Sequence, residues 1–349
     1  MAAQPRSGLP ERPRSGLSAS PRSGLSASPR SGLWERLLRW QEASILVVAV
    51  LLIAYFESAN RDFLLSGASL QNLTQYIAPA AIIACGEIML MIMGEIDLSA
   101  GMVFALAPFV MHFAAAAGVP APLALVLGIA AGAGVGLLNG LVTVKLSVPS
   151  FVTTLGTLFL INGFTLTISA GTPVEPPGGP LLAQVMGAWG YSEILWALGI
   201  GAALHVLLRH TRWGLHTTAA GANPIGAAEA GIAVDRLKIG NFVLAGALAG
   251  LTGILEAFRI SSVDPQAGGN QIMFLAVAAG VIGGTSLAGG SGTIIGGLIG
   301  AGVLGILNDG FTLIGVNAFT FNIILGAAIL VAMVFNIHIV RLARGGGAE

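Results

Sequence analysis

Leu73-Thr74-Gln75-Tyr76-Ile77-Ala78-Pro79-Ala80-Ala81-Ile82-Ile83-Ala84-Cys85-Gly86-Glu87-Ile88-Met89-Leu90-Met91-Ile92-Met93-Gly94 is a run of 22 residues with a single charge, Glu87. A helix needs about 20 predominantly apolar residues to cross the hydrocarbon of a bilayer, so this run reads as a membrane span. Working outward from it, ten such stretches emerge, at approximately 38–56, 73–94, 98–117, 121–145, 149–170, 191–208, 239–258, 271–288, 293–309 and 319–338. In the first, Gln41 and Glu42 leave only Ser44 to Phe56 uncharged; the third and fourth are rich in Gly and Ala and read as candidates for broken or tilted helices. The chain is 55% hydrophobic and 9% charged, against roughly 25% charged in a soluble domain. Its 50 glycines in 349 residues are about twice the usual share of roughly 7%. In lipid, small residues let helix backbones approach closely, because packing replaces the hydrophobic drive between helices. The expected fold is therefore all-α, a polytopic transmembrane helical bundle of about ten spans.

The ends of the chain read differently. Pro-Arg-Ser-Gly-Leu recurs at 5–9, 13–17, 21–25 and 29–33 with no bulky core formers, so residues 1–36 are expected to form a disordered tail that buries too little surface to offset its ordering entropy. The apolar run starts only near Ala43, unlike a secretory signal peptide. The membrane domain is placed at 37–340, with a short cytoplasmic tail at 341–349. Lys and Arg accumulate on the cytoplasmic side. An N-terminus inside puts the seven tail arginines, Lys145, Arg209, Arg212, Arg236, Lys238, Arg341 and Arg344 in the cytoplasm and only Arg61 and Arg259 outside. Both termini are thus expected to be cytoplasmic. Cys85 is the one cysteine, so no intrachain disulfide can form.

Four features bear chemistry. Glu87 lies ten residues after Ile77, about 15 Å along a helix and near the middle of a roughly 30 Å hydrocarbon core. A charge there costs at least about 2.5–3.5 kcal/mol, so Glu87 should face the bundle or water, either lining a pathway or making a buried structural hydrogen bond. Asn139, Thr153, Thr154, Asn162, Asn308 and Asn322 lie on spans four, five, nine and ten; they can hydrogen-bond a polyol in transit or serve as contacts between helices. Between spans two and three, Asp97 or Ser99 suits the cap of the next helix, with Asp97 also a pathway candidate. In the loop from Arg209 to Lys238, Asn223 suits an N-cap, Pro224 the first helical position and Gly231 the residue past the end. Ile225, Ala228 and Ile232 give that short helix an apolar edge suited to a groove on another protein; a capped turn without a partner is the plainer reading.

Gly214-Leu215, Ala220-Gly221-Ala222-Asn223-Pro224, Ala227-Ala228, Gly231-Ile232-Ala233-Val234 and Lys238, followed by Leu244-Ala245-Gly246-Ala247-Leu248-Ala249-Gly250, resemble the cytoplasmic coupling loop of permeases in the ribose, xylose and galactose class of ABC importers. Gly94-Glu95-Ile96-Asp97-Leu98-Ser99-Ala100-Gly101 resembles that family's Gly-x-Ile-Asp-Leu-Ser-x-Gly signature, with Glu95 where relatives carry glycine. Gly283 to Gly292 is similar to its C-terminal glycine-rich turn, and Asn139-Gly140 with Pro149-Ser150-Phe151-Val152-Thr153-Thr154-Leu155-Gly156 to a fourth motif. The four stand in family order, and the resemblance covers about residues 73 to 337. The resemblance implies a type II ABC importer-like permease of the bacterial inner membrane. It implies pairing with a second permease copy or paralogue, delivery of a simple sugar or similar small polar solute by an extracytoplasmic binding protein, and docking of cytosolic ABC ATPase subunits through Gly221, Asn223, Pro224, Ala228, Glu229 and Gly231. ATP and magnesium would sit on those ATPases: the only lysines are Lys145 and Lys238, and neither belongs to a phosphate loop. Membrane lipid and these proteins are the expected partners; nucleic acid is not.

A secondary transporter shares the composition and span count, and a branched-chain amino acid permease shares the general fold; the ordered motifs favour the sugar class. Gly289-Gly290-Ser291-Gly292 also fits an intramembrane serine protease, but such a serine needs a histidine base and the only histidine beyond it, His338, ends the last span. No catalytic residue or metal site is assigned.

Overall fold

The structure is a computed structural model that describes residues 41–60 and 66–317, with scattered residues between 320 and 331. The expected tail at 1–36, most of the tenth stretch and residues 341–349 lie outside the described residues. The principal helices are α1 (Gln41–Ala59), α2 (Gly67–Ile92), α3 (Ala100–Ala116), α4 (Ala121–Lys145) and α5 (Ser150–Ser169). After a short α6 (Pro180–Ala183) and a π turn at Gln184–Ala188 come α7 (Ser192–His210), α8 (Arg212–Ala222), α9 (Pro224–Glu229), α10 (Val234–Arg259), α11 (Gly269–Ile282) and α12 (Ile294–Leu313). Nine of the ten apolar stretches thus coincide with helices among the described residues. Six of them, α2, α4, α5, α7, α10 and α12, are long and apolar enough to cross a membrane, while α1, α3 and α11 are shorter apolar helices.

The local reasons are legible. Ser66, Thr211 and Thr293 cap α2, α8 and α12 by accepting from the N–H three residues on. The helices α3 and α11 are short because the connections at Gly94–Ser99 and Gly283–Thr293 replace a turn or more of each. These connections are partly buried, with Asp97, Ser99 and Thr285 fully inaccessible and Gly94, Ala288 and Ser291 exposed. Buried loops must pair their own backbone, and positive φ at Gly94 and Gly284 lets the chain turn back to do so.

The centre of the bundle is α2, buried from Ala78 to Ile92 without interruption and flanked by α7, α10, α11 and α12. Pressed against it, α10 makes its most extensive contact with α4. The reason is a row of glycines: Gly128, Gly132, Gly136 and Gly140 share one face of α4 at four-residue spacing. A Cβ on Gly132 would overlap the Gly246 carbonyl, one on Gly136 the Phe242 carbonyl, and one on Gly246 the Gly132 carbonyl. The two backbones therefore touch directly, as small-residue repeats allow in membranes. On the periphery, α5 turns Thr153, Thr154 and Thr157 inward and leaves Phe151, Val152, Phe159, Leu160 and Phe164 exposed. Among the described residues the helix α1 packs mainly on α12, where Phe56 meets Phe311 edge-on at 5.3 Å.

Gly132→Ala should lower the apparent Tm of the detergent-solubilised protein by an overpacking cost of about 1–3 kcal/mol. Gly134→Ala, where a Cβ meets nothing within 4 Å, should leave it unchanged or slightly raised. Equal melting of the two variants would refute the backbone contact.

Candidate coupling junction and solute cavity

Four separate segments meet at the end of α2. The Ile92 carbonyl accepts from Gly290 N at 2.8 Å, and Gly221 of α8 lies so close to the same carbonyl that any Cβ would overlap it. The Gly94–Ser99 connection then folds under α2. Glu95 pairs with Lys238 at the start of α10, both largely buried, and Ile96 N donates to Ser150 Oγ at 3.4 Å. Thr154 Oγ1 donates to Ser150 O at 2.8 Å and lies 3.4 Å from Ile96 O. Asp97 accepts from Ser99 N at 2.8 Å, Ser99 Oγ at 2.6 Å and Asn139 Nδ2 at 3.3 Å, while its own N–H donates to Glu87 Oε2 at 3.3 Å. Glu87, Asp97, Ser99 and Asn139 are all fully buried. Ser99 occupies the N-cap of α3 but makes no side-chain cap bond; the Asp97 carboxylate does the local work instead. Glu87 sits five residues from the end of α2, whose first residue is Gly67, so it belongs to this end of the helix rather than its middle.

Beside this knot lies α9. Asn223 Oδ1 accepts from Gly226 N at 3.0 Å, Pro224 holds the first helical position, and Gly231 takes φ +83°. Ala227 points inward to Met93, Ala220 and Leu237, while Ile225, Ala228 and Glu229 face outward. Together with the end of α4 they border a cleft of about 550 Å³. Behind it, Trp213 Nε1 donates to Asn241 Oδ1 at 2.8 Å, and buried Asn241 donates to Met89 O at 3.3 Å, so α8, α10 and α2 are tied together.

A second site lies at the far end of α10, whose 26 residues span about 39 Å at 1.5 Å per residue. There a cavity of about 520 Å³ opens between α2, α3, α10 and α11. On one wall Arg259 donates through Nε and Nη2 to both oxygens of Glu256, at 2.7 and 2.5 Å, and through Nη1 to Gln75 Oε1 at 3.5 Å. Glu193, buried in the first turn of α7, approaches the same guanidinium to 3.5 Å.

The model of a family described as the permease component of branched-chain amino acid transport systems matches residues 69–333. The chain belongs to that permease family. It is also 36% identical to the xylose/arabinose import permease protein of Sulfolobus acidocaldarius, over 86% of each chain. It is 36% identical to the ribose import permease protein of Escherichia coli K12, over 84% of this chain and 92% of the relative, and 34% identical to an autoinducer 2 import system permease protein of Photorhabdus luminescens, over 77% and 82%. No solved structure matches.

In this permease all four sequence motifs reach one end of the bundle, drawing Glu87, Asp97, Asn139 and Thr154 together there. Thr153 is buried beside them on α5, whereas Asn162 and Asn308 lie half-buried on α5 and α12, and Asn322 is exposed. None of the eight lines the cavity. Sequence reasoning missed Gln75, Glu193, Glu256 and Trp213 and took Arg259 only as a topological charge. The one available signal was the Glu256–Arg259 pair at i,i+3 spacing at the edge of a span.

Glu87→Leu strips the acceptor from the buried Asp97 N–H and should cost about 1–3 kcal/mol of stability, seen as a lower apparent Tm. Glu87→Gln retains an acceptor and should lose clearly less. Identical melting of Glu87→Leu and wild type would show that the contact holds nothing.

Proposed function

We propose that this permease is the membrane-spanning subunit of an ATP-driven importer for a simple sugar or a closely similar small polar solute, set in the inner membrane with both termini cytoplasmic. It pairs with a second copy or a paralogue, receives solute from an extracytoplasmic binding protein, and is driven by cytosolic ATPase subunits that carry ATP and magnesium. The observation that carries this reading is the convergence of the signature loop, the glycine-rich turn and the Arg209–Lys238 loop on the Ile92 end of α2. An ATPase that closes on its nucleotide can move the spans only through a stiff contact. The helix α9 supplies one: it is capped at both ends, held by Ala227 from behind, and presents Ile225, Ala228 and Glu229 outward. Displacement of this segment bears on Ile92 through Gly221, on the signature loop through Lys238 and Glu95, and along α10 toward the cavity. The sugar class is supported by relatives that carry ribose and xylose or arabinose in their names.

Ala228→Arg places a long charged side chain in the docking face without touching the spans. At matched membrane abundance it should reduce ATPase co-purification and uptake at least about tenfold, the effect of losing roughly 1.4 kcal/mol of contact; unchanged values for both would reduce the loop to a connection. The permease alone in lipid should hydrolyse no ATP. For orientation, Ile225→Cys in a Cys85→Ser background should react with membrane-impermeant thiol reagents in inverted vesicles and stay unlabelled in intact spheroplasts.

A further inference from the structure

The helix α7 lies at the edge of the bundle. Its 19 residues, Ser192–His210, rise about 28 Å at 1.5 Å per residue, close to the roughly 30 Å of a hydrocarbon core. One side packs on α2 and α12, while Leu195, Leu198, Gly199, Ala203 and Val206 are exposed. Toward Ser192 this outer face is grooved: a cavity of about 830 Å³ is lined by Leu195, Gly199 and Ala203 of α7 together with Trp189 and Trp196. Gly199 keeps it open, since a Cβ there would meet nothing within 4 Å. The Trp196 indole N–H is already bonded to the Val185 carbonyl at 3.0 Å, so the indole turns apolar surface to the groove.

At the other end of α7 basic side chains gather. Arg209, His210 and Arg212 are all exposed. Neither arginine takes part in a salt bridge among the described residues, and the sequence holds no Asp or Glu between Glu193 and Glu229. Free guanidinium groups of this kind bind phosphate through paired N–H donors. Their position selects the source of the phosphate. Val206, exposed three residues before Arg209, belongs to the apolar face of the span, so the arginines stand where hydrocarbon gives way to lipid headgroups. Leu215, in the first turn of α8, is 66% exposed; a leucine beside arginines at that level suits the bilayer interface, which meets apolar and cationic side chains together. Gly199 precedes Arg209 by ten residues, about 15 Å along the helix and half of the hydrocarbon core. An acyl chain that starts at the arginines therefore reaches the groove at Ala203 and Gly199.

We propose that the outer face of α7 binds an anionic phospholipid of the cytoplasmic leaflet, with its phosphate held by Arg209, His210 and Arg212 and one acyl chain lying past Val206 into the groove. The choice of leaflet rests on the importer reading, whereas the site itself needs only that α7 cross the bilayer. A lipid bound there braces the turn from α7 into α8, the helix whose Gly221 abuts the Ile92 carbonyl, so membrane charge bears on the coupling junction. The test titrates the delipidated permease in detergent with dioleoylphosphatidylglycerol or dioleoylphosphatidylcholine and reads the first lipid bound by native mass spectrometry. The anionic lipid should bind more tightly. Replacing both arginines, Arg209→Gln with Arg212→Gln, should weaken it about thirtyfold, the effect of two basic side chains at a lipid surface, with phosphatidylcholine binding and melting unchanged. Arg236→Gln, which removes a charge next to Asp235, should change nothing. Gly199→Phe sets a ring in the open groove and should weaken both lipids at unchanged melting. Equal binding of the two lipids by the wild type overturns the site, as does phosphatidylglycerol binding that survives the arginine pair or Gly199→Phe. If the arginine pair instead loses ATPase co-purification while phosphatidylglycerol binding holds, the surface belongs to the ATPase and the lipid site is refuted. Each of these failures leaves the importer reading to the Ala228→Arg experiment.

Discussion

Direct backbone contact between α4 and α10 is the constraint from which the remaining geometry follows. Lipid tails are as apolar as leucine, so two helices in a bilayer gain little by hiding apolar side chains from their surroundings and must gain by fitting closely. Gly132, Gly136 and Gly246 permit that fit. With its flank seated on α4 and its other side on α2, α10 runs as one uninterrupted helix from Val234 to Arg259. A segment that stiff at its Lys238 end necessarily sets the position of Glu256 and Arg259 at the other. The junction beside α9 and the chamber beside Arg259 are the two ends of one rod.

The junction itself shows how polar groups are kept in such a core. Asp97 accepts three hydrogen bonds and Glu87 accepts the Asp97 N–H, all without contact with solvent. Glu87 Oε1 and Asn139 Oδ1 have no hydrogen-bond partner among the described residues, a desolvation cost that the bonds made around them must offset. Arranged as they are, these bonds specify one path for the connection under α2, and the pairing of Glu95 with Lys238 joins that path to the start of α10.

What could be read in advance divides along the range of the interactions. Helix positions were legible because crossing a bilayer demands long apolar runs, and the α9 caps were legible because Asn223, Pro224 and Gly231 act within a few residues of one another. The shortness of α3 and α11 was not, since it depends on partly buried connections whose backbone finds distant partners, Ile96 N at Ser150 Oγ and Gly290 N at the Ile92 carbonyl. Glu87 was expected to face the bundle or water and is fully buried; its place near the Ile92 end of α2 was not legible, because the helix begins at Gly67, well before the apolar run becomes obvious. Beyond the local Glu256–Arg259 pair, the Arg259 cluster was not legible for a different reason: Gln75 and Arg259 are separated by 184 residues, and neither sits in a pattern that announces the other.

The crowding around one atom, the Ile92 carbonyl oxygen, carries a further consequence. It terminates α2, receives Gly290 N–H and abuts Gly221, all with the helix ending at a particular rotation and height. One residue inserted between Glu87 and Ile92 would swing this oxygen by about 100° and shift it about 1.5 Å, separating it from both neighbours at once. The length of this helical segment is therefore as restrictive as its composition. Insertions and deletions that distinguish one homologue from another should accumulate in loops such as Gly171–Gly179 and leave the stretch from Glu87 to Gly101 at constant length.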